Sequence, residues 1–140
     1  GAFLTPTPLR MAGGGLVTTL PDTVALMRSL MPGGKTLLKP QTLALMMSNQ
    51  LPAGVNVRFE QFGVIKGKGY GLGGAVTLAP SSLDPAQSEG EFQWGGLAGT
   101  HWWISPKTQL VGVLMAQRNM GFWNPYSFEF KQRVYKATGF

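Results

Sequence analysis

The stretch Phe92-Gln93-Trp94-Gly95-Gly96-Leu97-Ala98-Gly99-Thr100 runs straight into His101-Trp102-Trp103-Ile104 and sets three glycines in five residues between two aromatic segments. Glycine within a strand pattern weakens the strand and marks a bulge, a bend or a close approach to the backbone. Two readings are open at this point. One is a tight β-turn joining two core strands. The other is the wall of a site, where backbone N–H groups face a substrate and hold the charge that develops on its oxygen. That second role asks for a donor about 2.7–3.1 Å from the developing oxyanion, a distance at which a Cβ interferes.

The other candidates are weaker. His101 lies in a strand between Thr100 and Trp102, and the nearby segments offer neither a nucleophile nor the orienting carboxylate that a general base needs. A structural or pocket-lining histidine is the preferred reading. The carboxylates are Asp22, Glu60, Asp84, Glu89, Glu91 and Glu129. Glu89 and Glu91 share a strand face, whereas a glycosidase acid and base come from separate elements. Gly69-Tyr-Gly71-Leu-Gly-Gly74 spells G-x-G-x-x-G, but these glycines open a strand and not the helix that would face a pyrophosphate. They read better as a strand kept slim because another element crosses it. Gly13-Gly14-Gly15 lacks the Lys-Ser/Thr ending of a P-loop. With no cysteine and one histidine, disulfides, thiolate nucleophiles and multi-histidine metal sites are excluded within this chain, and no cofactor is expected. On its own residues the chain has walls and a floor without a nucleophile.

One domain is the natural expectation for 140 residues. Hydrophobic residues make up 44% and charged ones only 13%, which hints that part of the surface is meant to be covered. The net charge of +6 raises an anionic partner, but the Lys and Arg residues are scattered beyond the pairs Lys66/Lys68 and Lys131/Arg133, so nucleic acid is disfavoured. No apolar run approaches the ~20 residues of a membrane span. The sequence opens without a signal pattern and reads as a segment beginning in mid-protein; bacterial cytoplasm and periplasm are not distinguished.

The elements that must position the glycine loop follow from spacing. Thr18 or Thr19 caps a helix with Pro21 and Asp22 in its first turn, and Leu20, Val24, Met27 and Met31 form its apolar face. Pro32-Gly33-Gly34 ends it. Pro40 opens a second helix with Leu43, Met46 and Met47 as its buried stripe. Short extended pieces are expected at Val55–Val57 and Phe62–Ile65. Strands are expected over Tyr70–Leu78, Glu89–Trp94, Gly99–Ser105 and Leu110–Gln117, the last two joined by Pro106–Gln109. Asn124-Pro125 opens a closing helix whose shared face is Tyr126, Phe130, Val134 and Ala137. Helices, an antiparallel meander and a closing helix make an α+β pattern.

Taken in order, Gly13-Gly-Gly-Leu-Val-Thr-Thr, Leu38-Lys-Pro-Gln-Thr-Leu-Ala-Leu-Met before Asn49-Gln-Leu-Pro, Gly69-Tyr-Gly-Leu-Gly, Trp94-Gly-Gly-Leu-Ala-Gly-Thr-His-Trp-Trp-Ile-Ser-Pro and Leu110-Val-Gly-Val-Leu-Met-Ala-Gln resemble the C-terminal part of the serine β-lactamase-like hydrolases. The likeness is strongest to the class C-like members called family VIII carboxylesterases and covers essentially the whole chain. It implies the C-terminal portion of a single penicillin-binding-protein-like domain, with residues 1–60 the helical and loop part and 61–140 the strands plus closing helix. It also implies an acyl-enzyme mechanism, in which a Ser of S-x-x-K attacks and the Lys and a Tyr handle protons.

Trp94-Gly95-Gly96 matches the W-G-G found where lactamases carry K-T-G. By that match the Leu97 amide, set up by Gly96, is one oxyanion donor, and Trp94, Gly95, Tyr70 and Trp102 contact a small ester substrate. Two departures bear on the function. The K-T-G lysine is absent, which favours neutral esters and leaves at most weak β-lactam hydrolysis. The S-x-x-K and Tyr motifs are also missing: Ser29-Leu-Met-Pro32 and Ser81-Ser-Leu-Asp84 lack the lysine, and Ser105-Pro-Lys107 has the wrong spacing. The expected partner is therefore an N-terminal portion carrying those motifs. The competing expectations are a non-catalytic binding or interaction protein on the same scaffold and a stand-alone basic β-rich module.

Overall fold

The computed structural model describes residues 13–119 and 121–140. Its elements in chain order are α1 (Leu20–Ser29), α2 (Pro40–Met46), β1 (Arg58–Phe59), β2 (Gly63–Val64), β3 (Lys68–Tyr70), β4 (Ala75–Thr77), β5 (Phe92–Gly95), β6 (His101–Ser105), β7 (Leu110–Leu114) and α3 (Pro125–Ala137). β3 to β7 form one antiparallel sheet in sequential order, and β1 and β2 pair separately. The architecture is α+β, with one group of helices ahead of the sheet and one helix behind it. The expectation for residues 1–12 of the leading glycine and proline segment lies outside the described residues.

Local chemistry explains the helix ends. The Thr19 hydroxyl accepts from the Asp22 amide at 3.3 Å and donates to the Asp22 carboxylate at 2.8 Å, so α1 begins on a side-chain cap. Asn124 caps α3 by accepting from the Ser127 amide at 3.0 Å. Met27, Leu30 and Met31 of the α1 region and Leu43 of α2 bury against Val76, Phe92 and Ile104, which makes the core on one face of the sheet.

The single strand expected over Tyr70–Leu78 is two strands. Gly71 donates to the Gly74 carbonyl at 2.8 Å and Gly73 adopts φ 92°, a conformation open to glycine, so the chain turns back and β3 pairs with β4. The glycines of this hairpin lie under the end of α2. A Cβ at Gly71 would overlap the Met46 carbonyl, and one at Gly69 the Asn49 side chain.

The closing helix also differs from expectation. Its buried stripe is Ser127, Lys131 and Tyr135, whereas Tyr126 and Ala137 are exposed and Phe130 and Val134 only partly covered. The helix turns by about one residue from the apolar reading because the sheet face beneath it is polar. The two edges of the sheet differ as well. The outer side of β3 is occupied: Val57 donates to the Lys68 carbonyl, Gln50 to the Tyr70 carbonyl, and the Tyr70 amide to Asn49. β7, all apolar, pairs only with β6 among the described residues.

Candidate functional site

β5 ends at Gly95, and β6 returns from His101 with Gly95 opposite it. Between them the Gly96 amide donates to the Thr100 carbonyl at 2.9 Å and the Gly99 amide to the Gly96 carbonyl at 3.0 Å, which is a β-turn centred on Leu97 and Ala98. The segment joining β7 to α3 clamps that turn from behind. Arg118 donates to the Ala98 carbonyl at 2.9 Å and Gly121 to the Leu97 carbonyl at 3.0 Å. The Leu97 amide makes no hydrogen bond among the described residues, and the residue is 65% exposed.

Gly95 is demanded from within. A Cβ there would overlap the Thr100 carbonyl and come 2.5 Å from the Phe122 ring, and one on Gly96 would lie 2.8 Å from the Thr100 hydroxyl. The glycines let the turn fold tightly onto itself and onto Phe122, a reason the sequence did not reveal.

The aromatic candidates divide. Trp94 and Tyr70 come together edge-on with ring centroids 5.1 Å apart, and Trp94 also stacks on Phe59 at 5.6 Å and meets Phe122 at 5.2 Å. Trp94 and Tyr70 line a depression of about 290 Å³ with Leu51, Val55, Val57 and Phe59. Trp102 does not join them. Although opposite Trp94 in register, it packs on Phe92 at 5.5 Å and lines a separate cavity on the α1 side of the sheet.

Behind the loop runs a buried polar chain that sequence reasoning missed. Lys68 pairs with Asp84 at 2.8 Å and donates to the Thr77 hydroxyl at 2.9 Å. The Gln93 side-chain amide donates to the same hydroxyl at 2.9 Å. The Gln93 side-chain carbonyl accepts from Lys131 at 2.9 Å and faces His101 Nε2 at 3.0 Å. Lys131 pairs with Glu91 at 2.6 Å, and Glu91 accepts from the Tyr135 hydroxyl. These bonds tie β3, β4, β5, β6 and α3 together directly behind the residues that enter the loop.

The electrostatics follow from burial. His101 is held well below the usual histidine range by its burial and by the neighbouring Lys131 and Lys68. Because the Gln93 oxygen already accepts from Lys131, the neutral ring must donate from Nε2, which leaves a buried Nδ1 without a partner among the described residues. That is a structural histidine. Burial pushes Lys68 down more than Asp84 raises it. Burial would raise Asp84, but Lys68 and the hydrogen bonds from Ser81 outweigh it and hold the carboxyl low. Burial and Glu91 both raise the Tyr135 phenol. No group of His and carboxylate side chains suited to a metal ion occurs among the described residues.

The sequence profile of the Beta-lactamase family matches residues 2–124. Among curated proteins, the chain is 30% identical to "Acyltransferase calJ" of Penicillium decumbens over 81% of this chain and 29% of that protein. It is 29% identical to "Protein Rv1367c" of Mycobacterium tuberculosis over 81% of this chain and 30% of that one. The chain thus spans less than a third of the length of these relatives.

Among solved structures, a β-lactamase of Mycobacterium bovis superposes with TM-score 0.71 at 21% identity, over 88% of this chain and 45% of the other. EstCE1, described as a hydrolase with promiscuous acyltransferase activity, gives TM-score 0.66 at 30% identity over 82% and 29%. Simvastatin synthase of Aspergillus terreus gives 0.64 at 22% over 83% and 34%.

Proposed function

Since the chain belongs to the Beta-lactamase family, we propose that it supplies the oxyanion side of a serine hydrolase, a carboxylesterase of short-chain esters. The single observation that carries this reading is the Leu97 amide, unpaired among the described residues, on an exposed turn residue whose neighbouring carbonyls at Gly96, Leu97 and Ala98 are already taken. In this scheme a serine from an S-x-x-K segment attacks the acyl carbon, and its proton passes to the Lys of that segment and a Tyr from a second motif. The negative oxygen of the tetrahedral intermediate is met by the Leu97 N–H and the serine's own N–H. Collapse releases the alcohol, which takes the proton; water then attacks the acyl-enzyme and gives up a proton, the Ser–acyl bond breaks to release the carboxylic acid, and the serine oxygen is reprotonated.

Trp94, Gly95 and Tyr70 would form the wall beside the alcohol or acyl group, and Gly96 would hold the donor in place. The nucleophile would come from an N-terminal portion of the same domain. β7 is apolar and pairs on one side only among the described residues, which supports that reading, because a strand with one side unpaired is a template for further pairing. The absence of the K-T-G lysine supports esters over β-lactams.

Relatives described by acyl transfer favour a second reading on the same chemistry, in which an alcohol and not water attacks the acyl-enzyme. Joining this chain to a segment carrying the Ser, Lys and Tyr motifs should give p-nitrophenyl acetate turnover, and added glycerol should yield acetylglycerol where transfer competes. A joined protein that folds and turns over no ester points to a non-catalytic binding module.

A further inference from the structure

The aromatic depression beside Trp94 carries a single charge. Trp94, Tyr70 and Phe59 form its walls, and Asn56 and the exposed Arg58 complete its lining, which among the described residues holds no other Lys or Arg and no Asp or Glu. Arg58 takes part in no ion pair among those residues. Glu60, two places on, neither pairs with it nor lines the depression. The volume of about 290 Å³ suits one substituted ring, since sites for drug-sized ligands run from about 300 to 1,000 Å³. Tyr70 belongs to β3, whose outer side this chain already fills with Val57, Gln50 and Asn49. β7, where an N-terminal portion is expected to pair, lies two strands from β5 in the opposite direction. The depression is therefore apart from the edge left for further pairing.

We propose that this depression selects the alcohol half of the ester, and that the alcohol is a phenol carrying a carboxylate, held by Arg58. The assignment rests on the hydrolase reading and gives it a substrate class: short-chain esters of hydroxybenzoates. Trp94 immediately precedes the glycines of the turn, so a ring against it lies next to the segment that would hold the ester carbonyl. A short acyl group is too small to fill a wall of three rings, which leaves the alcohol half. Aromatic rings favour offset or edge-on partners about 4.5–7 Å apart, and Trp94 already keeps Tyr70 and Phe59 at 5.1 and 5.6 Å. The guanidinium adds a planar fork of N–H donors that matches a carboxylate. This cation comes from β1 and not from the W-G-G position, where the K-T-G lysine is missing. The expectation of a neutral substrate is thereby restricted to the acyl half.

Trp94 lines the depression, whereas Trp103 is fully buried elsewhere in the sheet, so indole N–H NMR signals of the 140-residue chain report occupancy and folding separately. Titration with 4-hydroxybenzoate should shift the Trp94 signal saturably and leave Trp103 unmoved. An exposed charge pair is worth up to about fivefold in affinity, so uncharged 4-hydroxybenzamide should bind about threefold more weakly. Arg58→Gln should bring the acid down to the affinity of the amide, with the Trp103 signal in place. Salt of about 1 M, which shortens the screening length to about 3 Å, should do the same in the parent chain. In the joined protein, the ratio of kcat/KM for 4-acetoxybenzoate to that for 4-acetoxybenzamide should fall about threefold in Arg58→Gln. A Trp94 signal that no ligand moves, or equal binding of acid and amide, overturns the assignment. Turnover with the same ratio in parent and variant discards the carboxylate at Arg58 and leaves the hydrolase standing. Selective binding in a joined protein that hydrolyses no ester keeps the ligand site and overturns the hydrolase reading.

Discussion

Lys131→Met tests whether the chain behind the loop holds the sheet together. The Lys131 ammonium sits 2.6 Å from Glu91 and 2.9 Å from Gln93, and its side chain and that of Glu91 are 1% and 0% exposed. Removing one member of a buried pair leaves the other charged and uncompensated, at a cost of about 3–5 kcal/mol. Glu91 still accepts from the Tyr135 hydroxyl, and methionine can keep the apolar part of the contact that Lys131 makes over the Trp103 ring, 5.1 Å from its centroid, so the lower end is expected, about 3 kcal/mol. A domain has ~5–15 kcal/mol of stability in all, so the variant should fold with a visibly reduced urea midpoint.

The double variant Glu91→Gln, Lys131→Met removes both charges while keeping a partner for Tyr135. It should recover at least half of the loss. Urea unfolding followed by tryptophan fluorescence measures both, with the slope against denaturant unchanged. A loss below about 1 kcal/mol for the single variant, or additive losses in the double, would refute the claim that this pair is a coupled, desolvated unit.

Three further outcomes follow from the same geometry. Leu97→Pro deletes the proposed donor at a turn position that tolerates proline; in the joined protein kcat should fall by about 10²–10³ with circular dichroism unchanged, and Leu97→Ala should keep most activity. Gly95→Ala drives a methyl into the Thr100 carbonyl and Phe122 and should cost about 1–3 kcal/mol by overpacking, read as a lowered Tm. His101 stays neutral in the fold while the unfolded chain binds a proton below the ordinary histidine value of 6.5. The unfolded state then holds more protons, so stability should decline as pH drops from about 6.5 by up to about 1.4 kcal/mol per unit. His101→Gln should flatten that limb, and parallel curves for the two proteins would show that His101 does not titrate on unfolding.

The turn chemistry and the caps were legible in the sequence. Thr19 with Asp22, Asn124 with Pro125, and the Ile104–Leu114 hairpin act where their residue types put them. So did the crowding of Gly69 and Gly71, since a glycine-rich strand signals a crossing element. Reading Tyr70–Leu78 as one strand failed because apolar alternation persists through the Gly71–Gly74 turn. The polar chain was hidden for a different reason. Glu91, Gln93 and Lys131 are residue types that normally face water, so their identity alone gave no sign of burial. The available signal was the four-residue spacing of Ser127, Lys131 and Tyr135, a polar stripe as regular as an apolar one. In a chain with only 13% charged residues, such a stripe matched by Glu91 and Gln93 on a strand marks a buried pairing.

A tight turn and a site wall were posed as rival readings of Gly95–Thr100, and the structure makes them compatible. In a β-turn closed by its first carbonyl and fourth amide, the two central amides are the groups left without an internal partner. A loop built only for connection would leave them to water at little cost. What distinguishes this turn is its support on the inner side. Its carbonyls are tied to Arg118 and Gly121, its glycines are pressed against Thr100 and Phe122, and the strand that feeds it is bonded through Gln93 to Lys131 and His101. A donor fixed this way loses little freedom when a negative oxygen arrives, which is the property that makes a backbone amide effective in a transition state. Gln93→Leu cuts the bracing two residues from Gly95 without touching the turn. In the joined protein it should lower kcat more than it raises KM, while Leu97→Pro lowers kcat alone. Equal kcat for Gln93→Leu and the parent would leave the bracing with a role in stability only.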